Sequence, residues 1–155
     1  MQDNFVCESK SSILDGKTMQ IYRFRDTGFR IVFVALPGPI CSTSIIVPTV
    51  CSDNKGLPHT LEHLVFTGSQ RHPRGFLDTL ATRSLSNGTN AYTASDHTSY
   101  EISTAGWQGM VQVFPVFLDH ILNPVLTEAQ FITEVHHLDG KGKHQGVVYC
   151  EVCSI

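Results

Sequence analysis

Apolar and polar positions along the chain follow two periods, and each period predicts one kind of element. Alternating or β-branched apolar runs predict strands, and five such runs span residues 19–25, 29–36, 44–50, 89–94 and 97–104. Asp26-Thr27-Gly28 is a turn sequence that would join the first two strands as a hairpin. Pro48 would place the third strand at a sheet edge or mark its end.

Apolar positions at helical spacing predict four helices. They span residues 58–66, 76–83, 107–122 and 127–138. The longest one contains Pro115, which can kink a helix, and its expected apolar stripe consists of Val111, Phe114, Leu118 and Ile121. This order of elements predicts an α+β fold, with a mostly antiparallel sheet and helices packed on one face. We expect residues 1–155 to form a single domain.

Composition excludes several classes of protein. The 155 residues are 41% apolar and 16% charged, which is typical of a globular protein and not of a disordered one. The net charge of −3 lacks the basic footprint of a protein that binds nucleic acid or an anionic membrane surface. Apolar runs stay shorter than the roughly 18 residues of a membrane-spanning helix.

The amino terminus and the cysteines bear on the compartment. Residues 1–8 lack the basic and apolar segments of a signal peptide, and their acidic residues disfavour a mitochondrial transit peptide. The five cysteines are odd in number and scattered, which favours reduced thiols over a disulfide framework. We therefore expect an intracellular protein, cytoplasmic rather than mitochondrial.

The most informative chemical pattern is His59-Thr60-Leu61-Glu62-His63, inside the predicted helix 58–66. Helical positions four apart share a face, so His59 and His63 can direct ring nitrogens to one metal ion. Glu62 leans toward the same side, where a carboxylate can polarise a metal-bound water without being a ligand. A helix that buries three ionisable groups is costly unless a cation compensates them. The pattern predicts a zinc site, with a solvated amphipathic helix as the alternative.

A catalytic zinc ion generally takes a third protein ligand and leaves one position to water. Glu151 is the first candidate because it ends the apolar run 146–151, where a lone carboxylate needs a partner. Glu134 is the second candidate and His97 the third. His120 falls on a predicted core helix and is expected to serve a buried polar group instead.

Two longer segments carry a family resemblance. Residues 56–66, Gly-Leu-Pro-His-Thr-Leu-Glu-His-Leu-Val-Phe, and residues 89–93, Thr-Asn-Ala-Tyr-Thr, resemble the N-terminal domain of the pitrilysin, or insulin-degrading-enzyme-like, zinc metallopeptidases. Residues 93–98 and 146–151 are most similar to the presequence-protease branch of that family. The resemblance extends from about residue 21 to residue 151.

The resemblance implies a zinc-dependent metalloendopeptidase domain that hydrolyses peptides or unfolded segments. His59, His63 and Glu151 would hold Zn²⁺, and Glu62 would be the general base that activates water. Glu134 would support the site from a second layer. Asn90 and Ala91 would lie on the strand whose edge receives the peptide, through backbone hydrogen bonds that need little sequence preference.

The chain also departs from the family pattern. Cys150 stands where the segment before the last ligand usually has Asn. The family's chains are several times longer, and their far half contributes residues that grip the substrate and stabilise the oxyanion. We therefore expect a domain truncated at its C-terminal end, which the missing domains of a longer relative would complete.

Two alternatives stay open at this point. The chain could be a catalytically inactive fragment that acts at most as a zinc- or peptide-binding module. Cys150 and Cys153 form a Cys-x-x-Cys pair that could hold a structural zinc ion, although one such pair without a second is weak evidence.

Overall fold

The computed structural model describes residues 4–153, which divide into two compact units between Gly38 and Pro39. Residues 1–3, part of the segment used above for the compartment, and residues 154–155 lie outside this range. The first unit is an antiparallel sheet of three strands in the order β1-β2-β3. These strands are β1 (Phe5–Ser12), β2 (Thr18–Phe24) and β3 (Arg30–Val34), and a 3₁₀ turn at Leu14–Gly16 joins the first two.

The predicted hairpin is confirmed in this unit. Strands β2 and β3 pair from Met19 opposite Val34 to Arg23 opposite Arg30. Two like charges directly across a strand pair are unfavourable, and Glu8 of β1 compensates them, because its carboxylate accepts hydrogen bonds from Arg30 Nε at 3.0 Å and Arg23 Nε at 2.6 Å. These contacts, with the Arg30 hydrogen bond foremost, lower the pKa of the Glu8 carboxyl.

The second unit mixes strands and helices. Its strands are β4 (Ile40–Pro48), β5 (Thr89–Thr93), β6 (His97–Ala105), β7 (His137–Leu138) and β8 (His144–Gln145). Its helices are α1 (Leu57–Val65), α2 (Phe76–Arg83), α3 (Gly106–Leu122), α4 (Glu128–Glu134) and α5 (Val147–Cys153). Strands β4, β6 and β5 form an antiparallel sheet in that order, and β7 pairs with β8 as a short hairpin.

Helices cover the β4-β6-β5 sheet and build one core. Helix α1 packs beside β5, α3 packs on β6 and β4, and α2 packs on α3. Side chains of β4 alternate between exposed and partly buried positions along the strand, which is typical of a sheet with one covered face. The buried core residues are Val65, Leu77, Ala81, Tyr100, Ile102, Met110, Val113, Val116 and Phe117.

The α+β prediction, with antiparallel strands and packed helices, is confirmed. Pro48 is the last residue of β4, and β4 lies at an edge of its sheet, as expected from the missing N–H of proline. The single domain over residues 1–155 stays a prediction. None of the helices within residues 4–153 is both long and apolar enough to cross a membrane.

The buried face of the long helix overlaps the predicted stripe only in part. Helix α3 buries Met110, Val113, Val116, Phe117 and His120, whereas Val111 of the predicted stripe is 50% exposed. The rest of that stripe is partly buried, and Phe114 and Ile121 of it pack against the core. The helix is so apolar that several stripes fit the spacing, and packing against the sheet selects one of them.

The segment from α4 onward also differs from the prediction. Helix α4 begins with a capping box, in which the Gln130 backbone N–H donates to Thr127 Oγ1 and the Thr127 backbone N–H donates to the Gln130 side chain. It ends at Glu134 and not near Leu138, because the following residues form the β7-β8 hairpin.

We predict that Phe117→Ala lowers the free energy of unfolding by about 3–5 kcal/mol, because Phe117 is fully buried and truncation leaves a cavity. Urea denaturation followed by circular dichroism measures this change. Val111→Ala is the control on the same helix, since half of the Val111 side chain is exposed. Equal losses in the two variants would contradict the core described here.

Candidate metal centre

Helix α1 presents the three ionisable residues of the motif. Gly56 precedes the helix with φ of 70°, a left-handed conformation that glycine adopts without strain. At the other end, Thr67 Oγ1 donates a hydrogen bond of 2.6 Å to the Leu64 carbonyl. The helix lies beside β5 and packs on both α4 and α5. It is therefore fixed at its two ends and along its flanks.

Helix α5 brings a distant carboxylate to α1. Gly146, with φ of 131°, lies so close to Val135 that an added Cβ would come within 2.2 Å of the Val135 carbonyl oxygen. The Tyr149 N–H donates to that same carbonyl at 3.1 Å. This close backbone approach sets the start of α5, and Glu151 follows one turn later.

Three side-chain atoms converge between α1 and α5. His59 Nε2 and His63 Nε2 are 3.3 Å apart. Glu151 Oε2 lies 3.2 Å from the first nitrogen and 3.1 Å from the second. Within residues 4–153, His59, His63 and Glu151 are the group of at least three histidine, cysteine or acidic side chains whose donor atoms are close enough to hold one metal ion.

The spacing of these atoms fits a tetrahedral zinc ion. Bonds of about 2.0–2.1 Å at tetrahedral angles place ligand atoms about 3.3 Å apart, close to the three observed separations. Without a cation the two Nε2–H groups could both donate to Glu151 Oε2, and the 3.3 Å contact between the two nitrogens would then carry no hydrogen bond. A zinc ion would accept a lone pair from each of the three ligand atoms at once.

Glu62 lies beside this triangle in a different environment. It is 8% exposed, whereas the Glu151 side chain is 50% exposed. Thr93 Oγ1 of β5 donates a hydrogen bond of 2.5 Å to Glu62 Oε2. Burial, together with the nearby Glu62 charge, raises the pKa of Tyr100 to about 12, so this phenol stays neutral next to the carboxylate.

The other two candidates for a third ligand lie elsewhere. Glu134 accepts a hydrogen bond of 2.5 Å from Arg74. The His97 Nδ1 lies 2.7 Å from the Asp96 carboxylate, and this hydrogen bond lowers the pKa of Asp96. The buried His120 donates from Nδ1 to the Val65 carbonyl at 3.1 Å, as expected for a core histidine. The structure thus brings Glu151 to the two histidines.

The strand with the expected substrate residues borders the site. Ala91 lines a cleft of about 420 Å³, whose other lining residues are His59, Glu62, His63, Tyr92, Thr93 and Glu151. Asn90 is exposed and alternates with Ala91 along the strand. Strand β5 pairs with β6 along one edge and forms an end of its sheet.

Cys150 and Cys153 are exposed on α5. Neither belongs to the metal-binding group found within residues 4–153, so the structural-zinc alternative gains no support.

Sequence reasoning did not single out Thr93. Thr93 lies two residues after Ala91 on β5, and the strand alternation predicts that the two side chains share one face of the sheet. Its contact with Glu62 depends on how β5 lies beside α1, which is a tertiary arrangement and leaves no periodic signal.

Three side-chain atoms that could hold one metal ion, next to a buried carboxylate on an α+β scaffold, match the arrangement of zinc hydrolases. The model of the insulinase family, peptidase family M16, matches residues 51–145. The chain belongs to this family.

Several relatives and one solved structure illustrate this membership. An uncharacterised protein of Caenorhabditis elegans is 46% identical over 138 residues, which are 88% of this chain and 14% of the relative. A presequence protease of Danio rerio is 40% identical over 97 residues, which are 62% of this chain and 10% of the relative. The crystal structure of pitrilysin matches 83% of this chain and 14% of its own, with a TM-score of 0.67 and 23% identity, and shows the fold alone.

The chain spans about an eighth of the length of the curated relatives it matches. The matched presequence proteases are mitochondrial by name. They therefore do not support the expectation of a cytoplasmic over a mitochondrial location.

We predict that Gly146→Ala lowers the free energy of unfolding by about 2 kcal/mol or more, because the new Cβ would collide with the Val135 backbone at a φ that alanine rarely adopts. Gly140→Ala is the matched control, since a Cβ at Gly140 meets nothing within 4 Å. Thermal and urea unfolding measure both variants. A neutral Gly146→Ala would contradict the close approach between α5 and the segment before β7.

Proposed function

We propose that this chain is a zinc-dependent metalloendopeptidase domain that hydrolyses peptide bonds in peptides or unfolded segments. The convergence of His59 Nε2, His63 Nε2 and Glu151 Oε2 at 3.1–3.3 Å is the observation that carries the proposal. Family membership supports the peptidase class. Glu62, next to the three proposed ligands, is the residue that would make the metal site hydrolytic.

The three ligands leave one coordination position of a tetrahedral ion open. A zinc ion held there would lower the pKa of a bound water molecule to about 7 and would polarise the scissile carbonyl as a Lewis acid. His59 and His63 would hold the ion through their Nε2 atoms, and Glu151 would contribute the one negative charge of the ligand set. Glu134, which Arg74 holds by an ion pair, is proposed to support the site from outside it.

Glu62 is proposed to move the proton. It follows His59 by three helical positions, which keeps its carboxylate on the metal side of α1. It takes a proton from the attacking water and returns one to the leaving amine. The same carboxylate thus acts first as general base and then as general acid. Its burial at 8% exposure keeps bulk water away from this carboxylate.

Substrate is proposed to bind along β5 as an added strand. The end position of β5 in its sheet leaves backbone groups for a peptide next to the cleft. Asn90 and Ala91 would contribute backbone hydrogen bonds. The short side chain of Ala91 would leave room for the peptide in the cleft. Recognition through backbone groups gives affinity with little sequence preference, as expected for an enzyme acting on unfolded segments.

A second candidate function is a zinc- or peptide-binding module without turnover. This chain covers 14% and 12% of two of its relatives, so the rest of those relatives could contain residues that turnover requires. The two candidates share the metal site and differ in the chemistry at Glu62, so metal content and turnover are separate tests.

We predict about one zinc ion per chain after loosely bound metal is removed. Metal analysis measures this value, and His63→Ala and Glu151→Gln should each lower zinc affinity at least tenfold because one of three ligands is lost. His97→Ala is the control, since His97 pairs with Asp96 and does not belong to the metal-binding group. Zinc content near zero in the parent protein would overturn the metal site.

We predict that Glu62→Gln keeps the zinc content of the parent and lowers kcat at least a hundredfold, because the amide cannot take up the proton. A quenched fluorescent peptide measures turnover in zinc-loaded protein. Peptide cleavage by Glu62→Gln at the parent rate would rule out the assigned base. Zinc binding by the parent without any cleavage would select the binding module.

A further inference from the structure

We propose that Thr93 is the positioning residue for Glu62: its hydroxyl holds one carboxylate oxygen so that the other faces the proton it is to accept. This inference rests on the proposed function of Glu62. Thr93 Oγ1 donates to Glu62 Oε2 at 2.5 Å, and this is the hydrogen bond that the Glu62 side chain makes within residues 4–153. The engaged oxygen is fixed, which leaves Oε1 as the acceptor.

The donor is mounted on rigid backbone. Thr93 is the last residue of β5 and pairs with Thr98 of β6, and the Ala94 N–H donates to the His97 carbonyl at 2.8 Å just beyond that pair. Strand β6 is central in the sheet between β4 and β5. A side chain with this support keeps its position better than one on a loop, as a group that orients a base requires.

A line of hydroxyl groups continues behind Thr93. Thr98 Oγ1 lies 3.5 Å from Thr93 Oγ1, at the outer limit of hydrogen bonding, and 2.9 Å from Thr49 Oγ1. Thr98 is 1% exposed, so its partners are protein groups. Because an ionised carboxylate only accepts hydrogen bonds, the Thr93 hydrogen points to Glu62, and Thr93 Oγ1 can accept from Thr98 on its other side.

The carboxylate needs such a donor. Glu62 is almost fully buried, and a buried anion without a hydrogen bond is costly and free to rotate. The neighbouring Tyr100 is a neutral phenol with a pKa of about 12, and it does not compensate the charge. Thr93 therefore stabilises the ionised side chain and selects its orientation by the same contact.

The test compares Thr93→Val, which keeps the shape of the side chain and removes the hydroxyl, with Thr93→Ser, which keeps the hydroxyl. Thr89→Val is the matched control, because Thr89 lies on the same strand at the same parity and is also partly buried. In zinc-loaded protein we expect Thr93→Val to lower kcat at least about tenfold, with KM within twofold and zinc content unchanged.

Rescue separates positioning from packing. Thr93→Ser should keep kcat within about threefold of the parent, and Thr89→Val should leave it unchanged. Parent kcat in Thr93→Val, or an equal loss in Thr93→Ser and Thr93→Val, would overturn the proposal. A loss of zinc in Thr93→Val would also overturn it, since Thr93 would then act on the ligands and not on the base.

A second readout does not depend on turnover. In the metal-free protein we expect Thr93→Val to lower Tm by about 5 °C, because a buried carboxylate loses its donor. In the Glu62→Ala background the same substitution should change Tm by less than about 2 °C. Equal shifts in both backgrounds would overturn the contact. A parent protein that cleaves no peptide but shows this coupling would reject the proposed peptidase activity and keep the role of Thr93 toward Glu62.

Discussion

The convergence of two imidazole nitrogens and one carboxylate oxygen between α1 and α5 is the constraint on which the candidate site depends. Separations of 3.1–3.3 Å bring the lone pairs of three donors together. A cation between the three atoms would accept a lone pair from each of them, whereas without it Glu151 Oε2 is the acceptor that the two Nε2–H groups could share. The backbone contact between Gly146 and Val135 holds α5 beside α1 and so keeps the three atoms together.

The two histidines and the carboxylate are brought to the site by two different features of the chain. Helical spacing alone sets His59 and His63 side by side. Glu151 lies 88 residues beyond His63 and arrives only because the backbone at Gly146 passes within contact of Val135. The first pair is thus a local property of five residues, whereas the third member depends on a glycine that admits no Cβ. Substitutions in the hairpin before α5 are therefore as relevant to the site as substitutions in α1.

This division explains what could be predicted from the sequence. The His59, Glu62 and His63 geometry follows from a helical period. The β2-β3 pair follows from two strand runs and the turn between them, and β5 and β6 follow from strand runs. The α5 helix, the β7-β8 hairpin and β1 carry no such signal: β1 is polar and almost wholly exposed, and the hairpin strands have two residues each. The buried face of α3 was predicted only in part, because a helix that is apolar on most sides leaves the choice of face to tertiary packing.

The two carboxylates of the site differ in the way that their proposed roles require. Glu151 is half exposed, as suits a ligand whose charge a cation would neutralise. Glu62 is buried and bound by a hydroxyl donor, and it makes no ion pair with a basic side chain within the described residues. A strong ion pair would hold the carboxylate and weaken it as a base, whereas a neutral donor orients it and leaves its second oxygen available. The environment of Glu62 therefore fits a group that exchanges protons, and that of Glu151 fits one that does not.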